Sequence, residues 1–158
     1  FAENSPERLA GLGLITTRAK PDSEEGRAGR YEMIEKVKQE GSIALAKSLA
    51  PKLSQDETIV SSLKDMIAQT PADGIIGALK GMAERPDRRD LLPKIKVPAL
   101  VVAGEADQII DLHDAEQMAS ALPRGEFLPI KDAGHMPMLE TRSALGQGLL
   151  SLIHRVTD

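Results

Sequence analysis

The sequence predicts an α/β protein: a partial three-layer parallel sheet of three strands, with a helical insertion after the first. Three observations carry that expectation. Short apolar runs at residues 8–17, 97–104 and 126–130 have the length and β-branched content of buried strands. Helix-period segments separate them, which favours parallel strands with crossovers over hairpins. Four such segments lie between the first two strands, far more than a crossover needs.

The elements follow in order. "RLAGLGLITT", from Arg8 to Thr17, reads as a buried strand, and "RAKPDSEEG" as the polar loop after it. Residues 24–50 carry a helical pattern, with Tyr31, Ile34 and Val37 on one face. Gly41-Ser42 interrupts it, and Pro51 is expected to stop the second helix. Ser54 and Glu57 have capping-box spacing before the stripe Ile59, Val60, Leu63, Met66, Ile67. Pro71 fits the first position of a fourth helix with the stripe Ile75, Ile76, Leu79, Met82, Ala83. Arg85-Pro86 ends it, and "ERPDRRD" reads as a charged surface loop.

From here the period changes. "PALVVAG" is a continuous β run of the kind buried inside parallel sheets. Asp111 caps a helix whose inner face is Ala115, Met118, Ala119 and Leu122. "EFLPI" is a short strand, and its Pro129 argues for an edge position or a bulge. A last helix over about 140–155 is expected to bury Leu145, Leu149, Leu152 and Ile153. The methionines at 33, 66, 82, 136 and 138 are expected in packed positions, and Met136 is a candidate pocket wall. The domain division this implies is a core made of 1–20 and 87–158, and a helical cap of 21–86.

Composition narrows the function. The 158 residues are 41% hydrophobic, with 20 basic and 24 acidic side chains and a net charge of −4. No Lys/Arg stripe offers a polyanion footprint, so nucleic acid is not expected as a partner. There is no Cys, which excludes disulfides, thiolate metal sites and Cys nucleophiles. No apolar run approaches the roughly 18 residues of a membrane span. Without a signal-peptide pattern, the expectation is a cytoplasmic protein with no membrane partner. No metal-ligand spacing occurs, and no cofactor is expected. His113 reads as a solvated cap residue and His154 as a helix-end charge.

Two turns remain. Asp107 follows Gly104 just past one predicted strand, and His135 follows Gly134 just past the next. Carboxyl ends of parallel strands are where an α/β sheet gathers its functional groups. If the strands are neighbours, a carboxylate meets an imidazole in one crevice. An Asp bonded to one ring nitrogen fixes the tautomer and stabilises the imidazolium formed when the other nitrogen takes a proton.

The segment "IKVPALVVAGEAD" followed by "AGHMPMLE" resembles the C-terminal part of α/β-hydrolase-fold enzymes of the esterase, lactonase and C–C hydrolase type. "SPERLAGLGLITTRA" is similar to the sixth strand of that family, and "PADGIIGALKGMAERPDRRDLLPKI" to its last cap helix. The resemblance implies the last three strands of that fold, Asp107 as triad acid and His135 as general base. It also implies a small acyl substrate for the parent enzyme.

The family's G-x-S-x-G elbow and its His-Gly oxyanion stretch are both absent from these residues. The resemblance therefore implies a C-terminal half that lacks its nucleophile. A nucleophilic Asp, as in haloalkane dehalogenases and epoxide hydrolases, is equally open. A bare apolar strand edge would then favour a homo-oligomer or association with the missing N-terminal half. The alternative is a catalytically silent truncated fragment that acts only as an association module.

Overall fold

The computed structural model describes residues 1–157. The chain divides into two compact units, residues 1–19 with 88 onward, and residues 20–87.

The first unit holds the sheet. Strands β1 (Leu12–Ile15), β2 (Ala99–Gly104) and β3 (Gly125–Ile130) lie in the order β1-β2-β3, and both pairings are parallel. Leu12 stands opposite Ala99, and Ala99 opposite Gly125. All six residues of β2 are buried, as its uninterrupted apolar run requires of a central strand. Side chains alternate across a strand. Ala99, Val101 and Ala103 accordingly enter one cluster with Ala115, Met118 and Ala119 of α5 (Leu112–Ala121). Leu100 and Val102 enter another with Leu145 and Leu152 of α7 (Arg142–Thr157). The strand is thus sandwiched between two helices. β3 is an edge strand, one of the two placements that Pro129 argues for.

The second unit is all helix: α1 (Glu24–Glu40), α2 (Ile43–Leu53), α3 (Glu57–Gln69) and α4 (Ala72–Ala83). Ile34 and Val37 of α1 pack with Ala44, Ile75 and Leu79 in one cluster. Gly41 ends α1 at φ 78°, a conformation that glycine adopts without a steric penalty. Asp22 is buried and bonded to Arg30, with Arg85 3.9 Å away.

Several boundaries differ from the expectation. β1 is four residues long rather than ten: a 3-10 helix opened by Pro6 takes Arg8 at one end, and Thr16 leaves the extended conformation with φ 44° at the other. Pro51 does not stop α2, which runs on to Leu53. The ring cannot donate to the carbonyl four residues earlier, and only two further helical residues follow it. The cap of α3 is Asp56 rather than Ser54. The Asp56 carboxylate accepts the N–H groups of Thr58 and Ile59, while the Ser54 hydroxyl accepts the Asp56 N–H. Pro71 stands just before α4 as its N-cap, one place earlier than predicted.

The predicted burial of Ile153 fails: it is 55% exposed, on the face of α7 turned from the sheet. Met66 and Met138 are likewise exposed rather than packed. A periodic stripe can be wider than the surface available to cover it.

Candidate functional site

The carboxyl end of β2 is built around a close approach. A side chain at Gly104 would bring its Cβ within 2.2 Å of the Ala133 carbonyl oxygen and 2.3 Å of that of Gly134. Only glycine lets the loop after β3 sit this near the turn after β2. Backbone bonds then join the two segments. Glu105 N–H donates to Ile130 O at 3.0 Å, and Ala106 N–H to Ala133 O at 2.9 Å. Asp132 bends the second loop with φ 59°, a left-handed conformation that Asp tolerates better than most residues.

These contacts bring the two residues singled out in the sequence together. His135 Nδ1 lies 2.9 Å from Asp107 Oδ2. The carboxylate can only accept, so in the neutral ring Nδ1 carries the proton and Nε2 keeps its lone pair. Among the described residues Nε2 has no hydrogen-bond partner, and the His135 side chain is 20% exposed. The Asp107 side chain is fully buried.

The second oxygen of Asp107 is not idle. Oδ1 accepts the N–H groups of Ile109 at 2.8 Å and Ile110 at 3.1 Å. Burial by itself would raise the pKa of this carboxyl. The His135 hydrogen bond, the two backbone donors and the His135 charge together outweigh burial and hold it below its ordinary value. The carboxylate is therefore kept ionised beside the ring it orients.

Other sequence candidates lie elsewhere. His113 is exposed in the first turn of α5, 2.9 Å from the Gln117 side chain, and His154 is exposed in the last turn of α7. Among the described residues no group of three or more His, Asp or Glu could hold a metal ion, and no helix is long and apolar enough to cross a membrane.

Two further features stand at this end of the sheet: Glu140, the closing residue of the "AGHMPMLE" motif, to which the sequence alone gave no role, and Thr16, which it did not single out. Glu140 closes the one-turn helix α6 (Pro137–Glu140), and its Oε2 accepts the Gly134 N–H at 2.9 Å. Thr16, just past β1, is buried with φ 44°. That is a strained conformation for a β-branched residue, and nothing in local composition announces it.

The described residues thus form an α/β architecture, a three-stranded parallel sheet between helices with an Asp–His couple at its carboxyl edge. Residues 28–141 match the family model described as alpha/beta hydrolase fold, and the chain belongs to that family. It is similar to a malate-bound thermophilic esterase from Thermogutta terrifontis, with 37% identity and a TM-score of 0.92 over 99% of this chain and 60% of that one. It shares the fold of the enol-lactonase from Burkholderia xenovorans LB400, with a TM-score of 0.85 and 23% identity over 97% of this chain and 59% of that one. It is 30% identical over 86 residues to 3-oxoadipate enol-lactonase 1 of Acinetobacter baylyi, covering 54% of this chain and 32% of that protein. The chain thus spans 60% or less of the length of each of these proteins.

Proposed function

We propose that this chain supplies the acid–base part of a serine-type hydrolase acting on a small ester, lactone or related acyl substrate. The observation that carries the reading is the His135 Nδ1 contact to an Asp107 carboxylate whose other oxygen is already committed. That arrangement leaves Nε2 as the free base. Nε2 would take the proton of a serine hydroxyl as its oxygen attacks the acyl carbon. It would then return the proton to the departing alkoxide, and Asp107 would stabilise the imidazolium in between. The esterase and lactonase relatives favour acyl chemistry over the alternatives. The helical unit takes the part of a substrate-selecting cap in this reading.

No serine of these 158 residues lies in a G-x-S-x-G pattern, so this reading requires a nucleophile carried on a segment outside them. The same fact favours a second reading, a catalytically silent association module. In that reading the free edge of β1, beside a Phe1 that is 67% exposed, pairs with another chain.

One experiment separates the two. The chain alone should neither hydrolyse p-nitrophenyl acetate nor take up a fluorophosphonate label. Adding a polypeptide that carries the family's nucleophile elbow should restore both, and should fail to do so for His135→Ala. Labelling of the isolated chain would overturn the external nucleophile. Restoration that persists in His135→Ala would overturn the base assignment.

A further inference from the structure

We propose that Glu140 is a positioning residue for the Asp107–His135 couple, clamping the turn that aims the imidazole. The inference rests on the acid–base reading above and adds a residue to it.

The argument begins with the hydrogen-bonding needs of the residues before His135. Ala133 and Gly134 are both buried, and buried backbone groups require partners. The sheet cannot supply them, since β3 ends at Ile130. The Ala133 carbonyl is met by Ala106 N–H at 2.9 Å, from the turn that carries Asp107. The Gly134 N–H is met instead by a side chain, Glu140 Oε2 at 2.9 Å. The two residues preceding the imidazole are therefore pinned by different segments: one by the Asp107 turn, the other by Glu140.

Glu140 is itself fixed. Its own N–H donates to Met136 O at 3.0 Å, and Leu139 N–H donates to the same carbonyl at 2.8 Å. Thr141 N–H donates to Pro137 O at 2.9 Å. These bonds wind α6 into a single turn that carries the carboxylate back over six residues to Gly134. His135 lies inside the loop so closed. Releasing the Gly134 end would leave a buried donor unpaired and free the backbone next to the ring.

What the clamp requires is an acceptor of the right reach, and not a charge. Gln at position 140 keeps such an acceptor; Ala does not.

The test is nuclear magnetic resonance on the chain, reading the His135 Nδ1 proton and the exchange of the Gly134 amide. In the wild type a downfield Nδ1–H signal, abolished by Asp107→Asn, establishes the couple. Glu140→Ala should then broaden or lose that signal and speed Gly134 exchange roughly tenfold or more, while Glu140→Gln retains both. An unaltered signal and unaltered Gly134 protection in Glu140→Ala overturn the clamp, as does a Gln variant that behaves like Ala. Should Glu140→Ala fail to fold, the wild-type Gly134 amide decides: rapid exchange there overturns the proposal, and protection that Glu140→Gln retains supports it. A wild type without any Asp107-dependent Nδ1 proton removes the acid–base reading, and the clamp with it.

Discussion

The two turns at the carboxyl edge of the sheet are fixed in opposite ways. The turn after β2 is held by its own functional group, because Asp107 Oδ1 gathers the N–H groups of Ile109 and Ile110 two and three residues on. The turn after β3 is held from outside, by Ala106 on one side and Glu140 on the other, and the His135 ring takes no part in holding its own backbone. The carboxylate holds its own turn as well as the ring, whereas the imidazole bonds no backbone group. Removing Asp107 should therefore damage the fold, and removing His135 should leave it nearly intact.

The largest expected effect comes from forcing the turns apart. Gly104→Val would drive a Cβ into the carbonyl oxygens of Ala133 and Gly134, which are backbone atoms and cannot swing away. A loss of about 3 kcal/mol or more is expected, together with loss of the His135 contact to Asp107. Urea unfolding monitored by circular dichroism checks the first. A variant as stable as the wild type would show that the two loops do not touch as described.

Next comes the asymmetry itself. Asp107→Ala strands two backbone donors and should cost about 2–4 kcal/mol, against about 1–2 kcal/mol for His135→Ala, which removes one of three partners from a buried carboxylate that keeps the other two. Equal losses in thermal or urea unfolding would erase the distinction between the turns.

The smallest effect is the dependence on acidity. The Asp107 carboxyl has a native pKa below its ordinary value of 3.8. Its ionised form therefore contributes stability that is complete above that value and fades as the pH falls through the lower native one. The stability gap between wild type and Asp107→Asn should be full at about pH 6 and should narrow below about pH 4. A gap that widens in acid would reverse the sign of the shift.

Both turns were legible as positions. Asp107 and His135 could be located because each lies in a glycine-containing turn past an apolar β run, and the family resemblance marked the same two residues. The clamp was not readable from spacing. A Glu five residues after a His is compatible with many loops, and only the one-turn helix started by Pro137 carries it back to Gly134.

In the helical unit the stripes were found and the caps were misplaced. Ser54 and Asp56 both lend oxygens to the start of α3, and spacing alone picked the wrong one. Ile153 and Met66 continue an apolar period past the edge of what covers it, a matter of neighbours that no local window contains. Thr16 shows the same limit for backbone conformation, since its φ of 44° is imposed by what surrounds it.

The two borders of the sheet are chemically unequal. Arg124 and Ile130 turn their carbonyls toward β2, so the intervening Pro129 faces away, and the outward side of β3 lacks a donor there. On the other border Leu12 and Thr16 send their N–H groups to β2, leaving Gly13 and Ile15 to point outward with donor and acceptor intact. A strand laid beside Leu12–Ile15 would meet a donor and an acceptor at every outward residue, whereas one laid beside β3 would miss a donor at Pro129.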